Sequence, residues 1–146
     1  MIKISNRGPQ IDAGHIAEVE AAIGSELPTS YKTFLLKENG GVPTPDTVDI
    51  ERAPGSPTDV QVFFGIGRGV ESSNLSWNID LMNKRCPNHH LLPVACDSGG
   101  NLFCLDLLGE FTGGVMYCDL SDLHIVFYEV APNFESFLGR IRDWKQ

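Results

Sequence analysis

The sequence contains no lysine or arginine between Cys86 and Gly139, although eleven such residues occur in the chain as a whole. The same segment carries seven acidic residues: Asp97, Asp106, Glu110, Asp119, Asp122, Glu129 and Glu135. A field of this sign repels phosphate groups, so it argues against nucleic-acid binding and against attachment to an anionic membrane. It attracts a basic protein and speeds the encounter with it. On charge alone, the alternative that the acidity serves only solubility stays open.

Long hydrophobic segments are also missing. No run approaches the roughly 18–20 apolar residues that a membrane-spanning helix needs, and the first residues contain no apolar stretch of signal-peptide length. These absences predict a cytoplasmic protein. The four cysteines, Cys86, Cys96, Cys104 and Cys118, form no C-x-x-C pair, so we expect free thiols and not a disulfide framework. Cys96 and Cys104 flank a predicted hairpin, which allows them to lie near each other.

Motifs that carry catalysis or bind cofactors are absent as well. There is no G-x-S-x-G serine motif, and the alternating glycines of Gly65–Gly69 match neither of the patterns that cradle phosphate. Cys86, His89 and His90 have a C-x-x-H-H spacing that matches no common structural zinc site. The segment Asp97–Asn101 lacks the later glutamate of a calcium loop and is interpreted as an Asx turn. We therefore predict no catalytic residue, no metal and no cofactor.

Helical spacing of apolar residues marks both ends of the chain. Four helices are predicted: Ala13–Ile23 between an Asp12 N-cap and Gly24, a second from Pro28 to Asn39, a third over Asn74–Lys84 with Ser72 or Ser73 as its cap, and a closing helix after Asn133. Each has a stripe of apolar side chains, which indicates that the helices pack against another layer.

Between these helices the pattern favours strands separated by short turns. Strands are predicted at Asp59–Ile66, Leu92–Cys96, Leu102–Leu107, Val115–Leu120 and Ile125–Val130, with a proline-rich loop over Val42–Thr58 that holds a short strand near Thr47–Ile50. Short connections imply antiparallel neighbours. The predicted fold is therefore α+β: one domain over residues 1–146, in which the N- and C-terminal helices pack on one face of a mostly meandering antiparallel sheet of about five to six strands.

Several segments together resemble the SUKH superfamily. The segment Leu27–Leu35 followed by Asn39-Gly40-Gly41 is similar to the N-terminal signature of that superfamily, and Leu92–Asn101 is similar to its central hairpin. Phe103–Asp106 and Gly113–Tyr117 continue the likeness, and Phe134–Leu138 is similar to the closing helix of the superfamily. The resemblance therefore spans about residues 16–141. The loop Val42–Thr58 and the region from Ile66 to Arg85 depart from the pattern.

Membership of this superfamily implies a fold without known enzymatic activity. In bacteria it implies an immunity protein, which binds and neutralises a toxin that is often a nuclease and therefore basic. The fungal members instead regulate cell-wall synthesis, so a regulatory scaffold is the alternative hypothesis. The fungal regulators carry long disordered flanks, which this sequence lacks, and on that ground we expect the immunity role.

The acidic strands and their turns are the predicted interface with such a basic partner. The candidate residues are Asp106, Glu110, Asp119, Asp122 and Glu129, with Tyr117 as an aromatic anchor and with Asp49 and Glu51 as an extension from the long loop. The alternative for each carboxylate is an ordinary solvated side chain.

Overall fold

Nine strands and four α-helices make up residues 2–145, the part of the chain that the computed structural model describes. In chain order they are β1 (Lys3–Ser5), α1 (Ala13–Ile23), α2 (Thr29–Glu38), β2 (Val42–Thr44), β3 (Thr47–Val48), β4 (Thr58–Asp59), β5 (Val62–Phe63), α3 (Leu75–Arg85), β6 (Leu91–Cys96), β7 (Leu102–Asp106), β8 (Val115–Asp119), β9 (Val126–Ala131) and α4 (Phe134–Arg140). A short 3₁₀ helix at Glu71–Ser73 precedes α3.

The main sheet contains β5, β6, β7, β8 and β9 in that spatial order, and each neighbouring pair is antiparallel. β1 pairs with β2, and β3 pairs with β4, in two small additional sheets. Consecutive strands of the main sheet are direct neighbours, as short turns require. The α+β class and the meandering sheet of five strands are therefore confirmed. β9 forms one outer edge of this sheet.

The first two helices begin and end where their capping residues predict. The Asp12 carboxylate accepts hydrogen bonds from the backbone N–H groups of Gly14 (2.9 Å) and His15 (3.3 Å), and Gly24 ends α1 with a φ of +69°. α2 begins directly after Pro28 and ends at Asn39, which has a φ of +49°. The Asp12 side chain at the start of α1, and the N–H groups of Gly24 and Asn39 after the two helices, bind backbone groups that a helix leaves unpaired at its ends.

Aromatic rings join the terminal helices to one face of the main sheet. The register places Phe63 and Phe103 on the same face, since both pair with Ala95. The ring of Phe34 on α2 lies 4.9 Å from that of Phe63, and the ring of Phe137 on α4 lies 5.2 Å from that of Phe103. Burying a side chain of this size contributes roughly 1.5–3 kcal/mol. The expectation that N- and C-terminal helices cover one face is confirmed.

The predicted strand over Asp59–Ile66 is divided in two. β4 ends at Asp59 and joins β3, whereas β5 begins at Val62 and joins the main sheet, and between them the Val60 N–H donates to the Asp46 carbonyl at 2.7 Å. The neighbours Phe63 and Phe64 are both buried, so this segment does not alternate between buried and exposed residues. The chain changes its pairing partner between Asp59 and Val62.

The start of α3 also differs from the prediction. Its N-cap position is Asn74, and neither Ser72 nor Ser73 takes that role, because both lie in the preceding 3₁₀ turn. The Asn74 side chain does not cap the helix. Its Oδ1 accepts the Arg68 N–H at 2.8 Å and its Nδ2 donates to the Arg68 carbonyl at 3.1 Å, so it holds the loop after β5 instead.

The second face of the sheet is covered at its centre and open at β9. Cys104 and Cys118 point to this face and have no exposed area, so the face is closed at its centre. There, Phe127 pairs with Cys118 and is 41% exposed, and Glu129 is exposed as well. The exposed aromatic and carboxylate side chains on this face therefore lie at the β9 edge of the sheet.

Candidate protein-binding surface

A groove runs between β9 and the loop that follows β3. Its larger part has a volume of about 520 Å³ and adjoins a smaller part of about 350 Å³, because Glu51 and Glu129 line both. The larger part is lined by Asp49, Glu51, Phe111, Glu129, Val130, Ala131, Pro132 and Arg140, and the smaller by Glu51, Arg52, Phe127, Tyr128 and Glu129. We call the two parts together the β9 groove.

An ion pair fixes the loop wall of the β9 groove. The Arg142 guanidinium donates from Nε and from Nη2 to the two carboxylate oxygens of Asp49, each at 2.8 Å. The backbones of Arg142 and Thr47 also exchange hydrogen bonds of 2.9 and 2.7 Å. The hydrogen bond from Arg142 holds the pKa of the Asp49 carboxyl below its usual range. A bidentate pair of this geometry orients the loop, while its surface exposure keeps its contribution to stability small.

Glu51 and Glu129 are the available carboxylates of the groove. Both are exposed, and within residues 2–145 neither side chain forms an ion pair or a hydrogen bond with another residue. Glu51 lies on the loop wall and Glu129 on the strand wall, so a cation that enters the groove meets a carboxylate on each side. The structure thus brings together three predicted acids, Asp49, Glu51 and Glu129, that lie far apart in sequence.

Two of the predicted binding residues have structural positions instead. Asp106 is 7% exposed, and its carboxylate accepts the backbone N–H groups of Gly109 at 2.6 Å and Phe111 at 3.0 Å. Tyr117 is 6% exposed, and its hydroxyl donates to the Asp97 carboxylate at 2.5 Å. Both predicted binding side chains are therefore buried and bonded within the chain, and they offer little surface to a partner. The pattern of a carboxylate followed by a glycine-rich turn signals such an internal role for Asp106.

Asp97 is the centre of the hairpin turn, as the sequence predicts. Its carboxylate accepts the N–H groups of Gly99 at 3.0 Å and Asn101 at 2.9 Å, which makes the expected Asx turn. It also accepts the hydroxyls of Thr58 at 2.8 Å and of Tyr117. Four donors satisfy a carboxylate that is only 3% exposed, so β4, β7 and β8 are joined at one point.

The remaining predicted acids lie at the two turns that flank β8. Asp119 is half-buried and accepts hydrogen bonds from the backbone N–H and the hydroxyl of Ser121, and the hydroxyl is the main cause that lowers the pKa of Asp119. Asp122 is exposed beside it. Glu110 is exposed and precedes Phe111, which lines the β9 groove. These accessible carboxylates extend the acidic surface beyond both ends of β9.

Arginines from outside the cation-free segment fold back onto it. Arg85 at the end of α3 donates to the carbonyls of Leu120 (3.3 Å) and Asp122 (3.0 Å). Arg140 donates to the Val130 carbonyl at the end of β9. The acidic surface is thus bounded by arginines bound to backbone carbonyls, a feature that the linear charge pattern does not reveal.

Metal ligands and thiol nucleophiles are two kinds of reactive group that the structure locates. Among residues 2–145, no three His, Cys, Asp or Glu side chains are placed to hold a metal ion. All four cysteines are free thiols, and burial raises the pKa of Cys96 to about 11 and that of Cys104 well above its usual value. A thiol with a raised pKa is a poor nucleophile at neutral pH. Within the same residues, no helix is long and apolar enough to cross a membrane.

The chain is similar to a known protein family and to a protein of Bacillus subtilis. The model of the SMI1 / KNR4 family (SUKH-1) matches residues 10–140. The SPbeta prophage-derived uncharacterized protein YokK of Bacillus subtilis (strain 168) is 30% identical over 156 aligned residues, which cover 95% of this chain and 79% of that protein. The matched region contains both walls of the β9 groove.

Proposed function

Because this chain belongs to the SMI1/KNR4 family (SUKH-1), we propose that it is a non-catalytic cytoplasmic immunity protein that binds and neutralises a basic toxin domain, of the nuclease type. The observation that carries the proposal is the pair of exposed and unpaired carboxylates, Glu51 and Glu129, on the two walls of the β9 groove. A basic protein that holds nucleic acid presents the complementary charge.

The setting of these carboxylates suits recognition by a preformed surface. The loop wall is held by the Asp49–Arg142 pair, and the strand wall belongs to the main sheet. A partner therefore meets charges that are already positioned, which lowers the entropic cost of association. The exposed ring of Phe127 beside Glu129 adds apolar area of the kind that often dominates binding energy.

The prophage origin of the YokK relative supports the same role. Prophages are mobile elements, and a toxin and its neutralising protein gain from being carried together. We propose that the toxin of this chain is encoded beside it, in a reading frame that ends in a basic domain.

Co-expression tests the proposal directly. The basic domain encoded next to this chain is expressed in cells from an inducible promoter, with or without the chain. We expect the toxin domain alone to stop growth and the chain to restore it, and we expect both proteins to co-purify. Growth arrest that persists at full expression of the folded chain would reject this toxin as its partner and, with it, the proposed arrangement.

A further inference from the structure

The outer edge of β9 is an unpaired strand edge. β9 pairs with β8 on one side, and within residues 2–145 no strand lies on its other side. An edge strand directs part of its N–H and C=O groups outward, where they are free to pair with another chain. At its C-terminal end this edge is closed, because Arg140 donates to the Val130 carbonyl. The open part is therefore residues 126–129.

Glu129 and the irregularity at Val130 protect only the C-terminal end of this open part. It contains neither lysine nor proline, and its residues Val126, Phe127 and Tyr128 are β-branched or aromatic, the types that favour strands. Val126 is 47% exposed and Phe127 is 41% exposed, and these two side chains lie on opposite faces of the sheet. A strand added here would find apolar contacts on both faces.

The carboxylates beside the edge favour a basic side chain on such a strand, while Arg52 also lines the smaller part of the groove. Glu129 belongs to β9 itself, and Glu51 lies across the groove from it. A basic side chain on an added strand meets both carboxylates. A second copy of this chain is a poor occupant, since each copy carries a net charge of -8.

We infer that β9 accepts an extended segment of the partner protein by strand addition, with an arginine or lysine of that segment held between Glu51 and Glu129. The inference rests on the proposed function, because it specifies how the neutralised protein is held. Main-chain hydrogen bonds supply affinity in this mode, and the side-chain positions supply selectivity.

A model peptide tests the inference without the toxin. The probe is a peptide of about ten residues that alternates arginine and valine, long enough to pair with a short strand. It is titrated into the isotopically labelled chain, and amide shifts and amide hydrogen exchange are followed by NMR. We expect shifts centred on residues 126–129 and amide exchange there slowed by about tenfold or more at saturation. A control peptide of the same length that alternates glutamate and valine should leave the spectrum unchanged.

Matched variants separate strand addition from general attraction to an acidic protein. Glu51→Gln with Glu129→Gln should weaken peptide binding by about tenfold, which corresponds to about 1.4 kcal/mol. Glu26→Gln with Glu71→Gln removes the same charge at exposed positions outside the β9 groove and should leave binding unchanged. Equal weakening by both pairs, no binding, or shifts that avoid residues 126–129 would overturn the inference.

The outcomes distinguish this inference from the proposed function. Protection from the toxin in cells, combined with no peptide effect at β9, rejects strand addition and leaves the immunity role standing. Peptide binding at β9, combined with failure to protect cells, rejects the immunity role and leaves strand addition standing. Sedimentation of the chain alone should show a monomer, and a dimer that Phe127→Lys dissociates would overturn the inference by assigning the edge to a second copy.

Discussion

The side-chain amide of Asn39 and the backbone of Ile66 form a reciprocal pair of hydrogen bonds, each 2.8 Å long. Asn39 Nδ2 donates to the Ile66 carbonyl, and the Ile66 N–H donates to Asn39 Oδ1. Nδ2 also donates to the Pro9 carbonyl at 2.8 Å. Asn39 is only 2% exposed, so a single buried amide joins the N-terminal segment, the end of α2 and the loop after β5. Gly65 is required beside it, since a Cβ there would lie 2.3 Å from the Asn39 carbonyl oxygen.

Asn39→Ala should lower the free energy of unfolding by about 2–4 kcal/mol, because it leaves buried backbone groups without partners and places alanine at a positive φ. Urea unfolding followed by fluorescence measures this change. Gln10→Ala, which removes an exposed amide, is the control and should stay within about 0.5 kcal/mol of the wild type. Equal stability of Asn39→Ala and Gln10→Ala would contradict the structural role of Asn39.

Replacing tyrosine by phenylalanine should have opposite effects on stability at two buried positions. The Tyr31 hydroxyl has no hydrogen-bond partner among residues 2–145, so Tyr31→Phe should stabilise the protein by up to about 1 kcal/mol. The Tyr117 hydroxyl donates to Asp97 and accepts from Asn101, so Tyr117→Phe should destabilise it by about 1–3 kcal/mol. Denaturant midpoints of the two variants, measured side by side, decide this. Destabilisation by Tyr31→Phe that matches that of Tyr117→Phe would show that the Tyr31 hydroxyl is bonded.

The fold follows from local patterns to a large extent. The bounds of α1, the stops at Gly24 and Asn39, the turn at Asp97 and the order of the meander all depend on residues close together in sequence, so the chain itself predicts them. The division of the strand after Thr58 was not predictable in this way. It depends on Asp46, a residue whose position relative to Val60 only the tertiary structure sets.

The sequence predicted that the candidate site is acidic, but it did not predict which of the acidic side chains are accessible. Linear charge identified Glu129 and the neighbouring loop acids, but burial of Asp106 and Tyr117 depends on hydrogen bonds formed in the folded chain. The return of Arg85 and Arg140 to the acidic segment, and the pairing of Arg142 with Asp49, are likewise results of packing. Which carboxylates remain available is thus decided by tertiary contacts, not by their number in the sequence.

Lowering the pH should reduce the free energy of unfolding, because it protonates the His89 ring. Its Nδ1 accepts the Leu91 N–H at 2.9 Å and its Nε2 lies 2.8 Å from Asn83 Oδ1, which requires a neutral ring with the proton on Nε2. Burial first, and then the neighbouring His90, lower the pKa of His89. A histidine whose pKa is lower in the folded state binds more protons when unfolded, so its contribution to stability is complete above about pH 6.5 and is lost as the pH falls through the folded-state pKa.

Unfolding measured from about pH 7 to pH 5 should therefore show a smaller loss of stability in His89→Gln than in the wild type. The matched control is His124→Gln, at an exposed turn position, which should keep the wild-type dependence. Parallel pH curves for His89→Gln and the wild type would refute this role of His89.

Charge at the β8–β9 turn should act on the rate of encounter with the toxin. Asp119→Lys with Asp122→Lys reverses two charges at the far end of β9 and should slow association severalfold at low salt, since steering depends on the summed field. Stopped-flow fluorescence measures this rate. The difference from the wild type should shrink at high salt, where exposed charges are screened. An unchanged association rate at low salt would remove this turn from the binding surface.

The most direct test of the central claim is the affinity of the chain for the basic toxin domain encoded beside it, measured by calorimetry for two double variants. Glu51→Lys with Glu129→Lys reverses both available carboxylates of the β9 groove. Glu26→Lys with Glu71→Lys changes the net charge equally at exposed positions outside it. The groove variant should bind at least about a hundredfold more weakly than the wild type, a loss of about 2.7 kcal/mol, and the control should bind within a fewfold of it. Wild-type affinity in the groove variant, or an equal loss in both variants, would contradict the assignment of the β9 groove as the binding site.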